Sequence, residues 1–134
     1  MSAVIDASVL VAATIDAGPH GVWAEQVLAR EPLFAPELIY VEATNVLRRL
    51  ECAKKISMLE ATAAHEDHLQ LSIEACPFIP FWERVWALRH SLTSYDAWYV
   101  AVAEALELPL ATLDTRLARA DGPRCKFLLP GVTR

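Results

Sequence analysis

Four acidic side chains in this sequence could together hold a divalent cation: Asp6, Glu42, Asp96 and Asp114. Carboxylate oxygens are ligands that Mg²⁺ and Mn²⁺ accept readily. Ions held in this way support the hydrolysis of phosphodiesters. Because like charges in a confined site repel one another, four converging carboxylates would need cations between them.

Two of these acids follow predicted strands. Asp6 closes the apolar segment "SAVID", and Asp114 follows "PLATL". Open α/β sheets build their sites at the carboxyl ends of the strands, so both acids are expected at that edge. Asp114 could instead be an ordinary N-cap for the helical segment "TRLARA". A purely structural role explains Asp6 less readily than it explains Asp114.

The other two acids lie in predicted helices. Glu42 belongs to the amphipathic segment "ELIYVEATNVLRRLECAKK", on one stripe with Asn45 and Arg49, although helix faces routinely carry such solvated charges. Asp96 lies in the first turn of "SYDAWYVAVAEALEL", an otherwise apolar helix. It could be the acidic member of a capping box that begins at Thr93.

The remaining segments predict a scaffold that would position these acids. Short apolar strands alternate with helices, which favours an α/β fold: a three-layer α/β/α sandwich with a short, mostly parallel central sheet. The strands are predicted in "SAVIDAS", "LFAP", "SIEACPFI", "PLATL" and "KFLL", and the helices in "SVLVAATI", "HGVWAEQVLARE", "ELIYVEATNVLRRLECAKK", "SMLEATAAHEDHLQL", "PFWERVWALRHSL", "SYDAWYVAVAEALEL" and "TRLARA". With no repeat or low-complexity tract, residues 1–134 are expected to form a single domain.

Composition narrows the function classes. The net charge of −5 argues against a passive nucleic-acid binder, but not against an enzyme that holds cations between its carboxylates and a phosphate. A hydrophobic content of 54% predicts apolar surface left over after folding, which a second copy could cover. The three cysteines lack metal-site spacing and favour a reducing cytoplasm, and neither a signal peptide nor a membrane span is expected.

Three stretches together resemble the PIN-domain family, and in particular the VapC-type toxins of bacterial toxin–antitoxin pairs. They are "VIDASVLVA", "PELIYVEATNVLRR" and "TSYDAWYVAVAEALELPLATLD", in the family's order and spacing, and the likeness extends from Ser2 to about Pro130. The resemblance implies a PIN fold and a Mg²⁺- or Mn²⁺-dependent endoribonuclease. It further implies an RNA substrate, a VapB-type antitoxin partner and a homodimer.

The resemblance also assigns roles to particular residues. It implies that Asp6, Glu42, Asp96 and Asp114 are the metal ligands and catalytic acids, and that Asn45, Ser8 and Thr112 support them. The basic residues near the rim are candidates for gripping the substrate, or else are solvated helix charges or dimer contacts: Arg48, Arg49, Arg116 and Arg119.

Two other readings of the chain remain open. One is a non-catalytic, PIN-like protein-binding module in which the acids merely cap helices. The other, a haloacid-dehalogenase-like phosphatase, is disfavoured because it needs a second acid where this chain has Ser8.

Two further clusters are expected to be structural. His65 and His68 are spaced i, i+3, unlike the histidines of zinc proteases, and are expected on a solvated helix face. The aromatic residues of the last third could stack on bases, but their helical spacing favours packing in a core or an interface: Trp82, Trp86, Trp98 and Tyr99.

Overall fold

The protein is described here by a computed structural model, which covers residues 1–131. Within that range, strands and helices alternate along the chain. The strands are β1 (Ala3–Ile5), β2 (Leu33–Pro36), β3 (Ile73–Cys76), β4 (Leu110–Ala111) and β5 (Phe127–Leu128), and the helices are α1 (Ala7–Ile15), α2 (Pro19–Leu28), α3 (Leu38–Cys52), α4 (Met58–Gln70), α5 (Trp82–Ala87), α6 (Ser94–Leu106) and α7 (Thr115–Arg119). A single 3-10 turn, Ile79–Phe81, leads into α5.

The five strands form one parallel sheet in the order β3-β2-β1-β4-β5. Every strand pairing is parallel, with Val4 opposite Phe34 on one side and Leu110 on the other. The chain therefore builds outward from β1 to β3, crosses back and continues from β4 to β5. The strand order reverses between β1 and β4, and such a switch point leaves a crevice at the carboxyl ends of the strands.

The connections between strands divide the helices into two groups. Helices α1 to α4 belong to the outward half and pack against one another, whereas α6 lies across β1, β2 and β4 with α5 beside it. Because parallel crossovers are right-handed, a chain that reverses its direction along the sheet places its helices on the opposite face. The architecture is thus the predicted α/β/α sandwich, and its sheet is parallel throughout the described range.

The central elements are apolar because they are covered on both sides. All three residues of β1 are inaccessible to solvent, and α6 buries a continuous run from Tyr99 to Ala103. The sequences of strands and helices that are buried on all sides are continuously apolar rather than alternating between apolar and polar residues. Polar groups that occur among them therefore need partners, and Asp6 and Thr112 are two of the buried polar residues.

The observed elements differ from the sequence-based predictions mainly in length. The strand predicted over 72–79 ends at Cys76, and the helix predicted over 80–92 begins as a 3-10 turn and ends at Ala87. Pro77 cannot donate to a ladder, which explains the early end of β3. No helix among residues 1–131 is long and apolar enough to span a membrane.

Candidate metal-dependent active site

Asp6 is fixed at the junction of β1 and α1 by hydroxyl and amide donors. It caps α1, its Oδ1 accepting a hydrogen bond from the Val9 N–H at 3.2 Å and from the Ser8 hydroxyl at 2.5 Å. The Thr112 hydroxyl donates to Oδ2, also at 2.5 Å. Burial raises the pKa of Asp6 to about 6, and the hydroxyl and amide donors offset only part of that rise.

Ser8 and Thr112 tie the ends of β1 and β4 together. The Ser8 hydroxyl oxygen accepts a hydrogen bond from the Leu113 N–H at 3.1 Å, and the Thr112 oxygen accepts one from the Asp114 N–H at 2.9 Å. Asp114 then caps α7, accepting from the N–H groups of Arg116 and Leu117 through Oδ1. The capping role predicted for Asp114 is therefore real, and it engages one of the two carboxylate oxygens.

Glu42 enters the site from α3 and is held by a residue of α6. The Tyr99 hydroxyl donates a hydrogen bond to Glu42 Oε1 at 2.6 Å, across 57 positions of sequence. Burial raises the pKa of Glu42, the Tyr99 hydrogen bond opposes the rise, and the charge of Asp96 adds to it. Glu42 is consequently not the solvated surface charge that helix periodicity alone would favour.

Asp96 occupies the first turn of α6. Thr93 caps this helix by accepting the Asp96 N–H at 3.2 Å. A complete capping box forms elsewhere in the chain, at Ser57 and Glu60, where the glutamate side chain also accepts the cap residue's N–H. Within residues 1–131 the Asp96 carboxylate accepts no such return bond from the Thr93 N–H, and its interaction with the Thr93 side chain lowers the pKa of Asp96 less than burial raises it.

The causes of the raised pKa values indicate which of the acids influence one another. Burial is the first cause that raises the pKa of Asp96, and the charge of Asp114 is the second. Burial and Glu42 raise the pKa of the Tyr99 hydroxyl, and Asp6 and Asp96 raise it further. Asp6 and Asp114 thus follow β1 and β4 next to the switch point of the sheet, and Asp96 lies near enough to Glu42 and Asp114 to influence them.

The donor set suits a hard divalent cation. It consists of carboxylate and hydroxyl oxygens, which Mg²⁺ and Mn²⁺ prefer, and like-charge repulsion between Asp96 and its acidic neighbours would be relieved by a positive ion. Among the described residues, however, no group of three or more Asp, Glu, His or Cys side chains is placed so that it could hold a metal ion. The acids fit the ion by the chemistry of their oxygens and do not form a coordination shell in this structure.

The remaining predicted site residues lie further out. Asn45 is exposed and accepts a hydrogen bond from Arg48 Nε at 3.0 Å, rather than contacting Glu42. Arg48 and Arg49 follow Glu42 by nearly two helical turns, which places them about 10 Å further along α3. Arg116 and Arg119 are exposed on α7, directly after Asp114.

Two contacts and the position of one histidine are not predicted by the sequence. Tyr99 is predicted to pack in a core or an interface, or else to stack on bases, although its position one turn after Asp96 is a usable signal for a role at the site. The contact between Arg84 and Glu104, which meet at 2.7 Å, has no such signal. The predicted solvated position was wrong for His68, which is buried and lies 3.0 Å from the Thr14 hydroxyl through Nε2.

The aromatic residues of the last third fall into two groups. Tyr99 is buried and Trp98 is half-buried against Phe78, whereas Trp82 and Trp86 are 61% and 66% exposed. The last two line an open groove with Phe78, Val85 and Ser94, named here the aromatic groove. Core packing therefore accounts for Trp98 and Tyr99, but not for Trp82 and Trp86.

Comparison with known proteins agrees with the fold. The PIN domain family model matches residues 3–123, and the chain belongs to the PIN-domain family. The chain is 35% identical over 122 residues to a VapC ribonuclease of Mycobacterium bovis, a match that covers 91% of this chain and 93% of that protein.

Two solved structures are similar in fold. The crystal structure of PAE2754 from Pyrobaculum aerophilum has a TM-score of 0.72 and 25% sequence identity, and the match covers 95% of this chain and 83% of that one. VapBC2 from Rickettsia felis, crystallised with a DNA fragment from its promoter, matches with a TM-score of 0.65 and 14% identity over 97% of this chain and 99% of that one.

Proposed function

We propose that this protein is a divalent-metal-dependent endoribonuclease, the toxin of a VapBC-type toxin–antitoxin pair. The observation that carries the proposal is the position of Asp6 and Asp114 directly after β1 and β4 in a PIN-domain chain, with Asp96 close enough to Asp114 and Glu42 to affect their shared electrostatics. The VapC ribonuclease relative, which matches over nearly its full length, supports the reaction class.

Asp6, Glu42, Asp96 and Asp114 are the residues that would hold Mg²⁺ or Mn²⁺. When bound, the ion supplies positive charge that stabilises the developing oxyanion and activates water for attack on phosphorus. The chain's own contribution is to orient the oxygens. Ser8 and Thr112 fix both oxygens of Asp6, the capping amides fix Asp114, and Tyr99 fixes Glu42.

The RNA phosphate backbone would be gripped at the rim of the site. Arg116 and Arg119 on α7 are favoured over Arg48 and Arg49, because α7 begins at Asp114 itself. Hydrolysis is expected to break the bond between phosphorus and the 3′ oxygen, leaving a 5′ phosphate and a 3′ hydroxyl. Asn45 accepts a hydrogen bond from Arg48, so any effect of Asn45 on RNA binding would act through that arginine rather than through the acids.

Two protein partners belong to the proposal. A VapB-type antitoxin would place a basic residue at the acidic site, since the described carboxylates there have no cationic partner of their own. The second partner is another copy of this chain. The toxin and its antitoxin are expected to act in the cytoplasm.

The aromatic groove is the proposed centre of the homodimer interface. Trp82 and Trp86 expose on the order of 300 Å² of indole surface, against about 800 Å² per partner in a standard interface. Sedimentation should therefore show a dimer that Trp82→Glu converts to monomer, while Leu69→Glu on exposed α4 does not. A dimer that persists while RNA binding weakens would instead assign the groove to stacked bases.

The decisive experiment compares cleavage of total cellular RNA by wild type, Asp6→Asn and the exposed control Asp67→Asn, each with Mn²⁺, Mg²⁺ or EDTA. Wild type and Asp67→Asn should cleave only with an added ion, and Asp6→Asn should lose at least about 100-fold in rate. Folded wild type that cleaves nothing with either ion would favour the non-catalytic binding module.

A further inference from the structure

We infer that Tyr99 is a positioning residue that sets how Glu42 presents its carboxylate to the divalent cation. This inference rests on the proposed function, because it concerns the same acidic site. The carrying observation is the 2.6 Å hydrogen bond from the Tyr99 hydroxyl to Glu42 Oε1.

The phenol ring of Tyr99 is rigidly held. It is 1% exposed, and it lies in the buried run of α6 that crosses β1, β2 and β4. A side chain fixed in this way has little freedom to follow a moving partner. Glu42, by contrast, is only half-buried on α3 and carries more rotatable bonds, so the ring fixes the carboxylate and not the reverse.

Among residues 1–131, no hydrogen bond is made to the second oxygen of Glu42. Tyr99 donates to Oε1, and as a neutral hydroxyl it neutralises none of the negative charge. An arginine in its place would cancel the charge that attracts the cation, as Arg84 does for Glu104. A neutral donor orients the ligand while preserving its charge, which is the usual task of groups behind a metal ligand.

Tyr99 spans the two halves of the site. It lies one turn after Asp96 on α6 and reaches Glu42 on α3, so its hydroxyl links the helix that carries one acid to the side chain of another. Asp6 and Asp96 both act electrostatically on the same hydroxyl, which places it among the acids. Loss of the hydroxyl should therefore weaken ion binding while the ring continues to fill the core.

The test is a Mn²⁺ titration of the RNA-free protein by electron paramagnetic resonance, with wild type, Tyr99→Phe and the exposed control Tyr95→Phe. Tyr99→Phe should bind Mn²⁺ roughly 10-fold more weakly, and half-maximal RNA cleavage should need a correspondingly higher Mn²⁺ concentration. Tyr95→Phe should match wild type. Unchanged Mn²⁺ affinity in folded Tyr99→Phe would overturn the inference.

A double-mutant cycle separates a positioning role from a structural one. If Tyr99 acts through Glu42, then Tyr99→Phe adds no further loss of Mn²⁺ affinity in a Glu42→Gln background. A full additional loss in that background would overturn the inference. Wild type that binds no Mn²⁺ would instead overturn the proposed function, and this inference with it.

A measurement on the wild-type ring covers the case in which Tyr99→Phe fails to fold. The chain has three tyrosines, so protein labelled with 3-fluorotyrosine gives three fluorine resonances, and Tyr40→Phe and Tyr95→Phe assign the third by elimination. Added Mg²⁺ should shift the Tyr99 resonance, and Glu42→Gln should abolish that shift. A Tyr99 resonance indifferent to Mg²⁺ would overturn the inference.

Discussion

Glu104 on α6 and Glu42 on α3 are both partly buried glutamates, yet the charges that surround them are opposite in sign. Arg84 Nε and Nη2 donate to the two oxygens of Glu104 at 2.7 and 3.1 Å, and the Arg124 N–H donates to Oε2 at 2.7 Å. Glu42 receives one neutral hydroxyl and faces the negative charge of Asp96.

The pKa values follow this difference. Burial alone would raise the pKa of Glu104, but the Arg84 and Arg124 contacts outweigh it, and the pKa falls below its usual value. Burial raises the pKa of Glu42, the Tyr99 hydrogen bond does not cancel the rise, and Asp96 adds to it. Within the described part of the chain, the structural carboxylate of Glu104 is thus paired with an arginine, whereas the carboxylates of the candidate site have no cationic partner.

The comparison indicates that stability and function are separated in this molecule. The Arg84–Glu104 pair, with Arg84 also donating to the Gly122 carbonyl at 3.0 Å, ties α5, α6 and the turn before β5 together. Burial raises the pKa values of Asp6, Glu42 and Asp96, so these three acids oppose folding near neutral pH, which is a common cost of a functional site. Three measurements can break or sharpen this contrast.

The largest expected effect is stabilisation of the switch-point acids by a divalent ion. At 100 times its dissociation constant, Mn²⁺ should raise the free energy of unfolding of wild type by about 2.7 kcal/mol. Urea unfolding with Mn²⁺ and with EDTA measures the difference. Glu104→Gln should keep this increment and Asp96→Asn should lose most of it. An equal Mn²⁺ increment in all three proteins would contradict the contrast.

The next effect concerns the built-in pair. Glu104→Gln should lower the free energy of unfolding by about 1–2 kcal/mol at pH 7, because Arg84 keeps its burial but loses its charge partner. The lowered pKa of Glu104 adds a pH signature. The stabilisation is complete above the usual glutamate pKa of 4.5 and is lost as pH falls through the lower folded value.

Urea unfolding of wild type and Glu104→Gln from pH 7 to pH 3 tests this prediction. The two curves should converge toward acid pH, where Glu104 becomes protonated. Glu107→Gln on the exposed end of α6 is the matched control and should differ little from wild type. A gap that stays constant with pH would mean that Glu104 stabilises by packing rather than by charge.

The sequence alone predicts the features of the fold and the site that depend on local residue patterns. Asp6 and Asp114 were placed at the sheet edge because an acid that follows an apolar strand has one place to go in a parallel sheet. The fold class followed from short apolar strands that alternate with helices. Helical spacing also predicts the stripe of α3 that carries Glu42 and Asn45, but it does not predict that Asn45 bonds to Arg48.

The contacts that the sequence did not predict join segments that are far apart in the chain. Tyr99 reaches Glu42 across 57 positions and Arg84 reaches Glu104 across 20, and helical periodicity says nothing about either pairing. His68 shows the same limit. A histidine in a charged segment reads as solvated, but α4 packs against α1 and turns that residue toward Thr14.

The smallest predicted effect has the opposite sign from most substitutions of a buried acid. In EDTA, Asp96→Asn should raise the free energy of unfolding by up to about 1 kcal/mol, because it removes a half-buried charge next to Asp114 while the Thr93 cap on its N–H remains. The exposed control Asp67→Asn should change stability by less than about 0.5 kcal/mol. With saturating Mn²⁺ the order should reverse, since wild type alone then gains the ion. A variant that is less stable than wild type in EDTA would show that Asp96 serves the fold as Glu104 does, and the division between structural and functional carboxylates would fail at that residue.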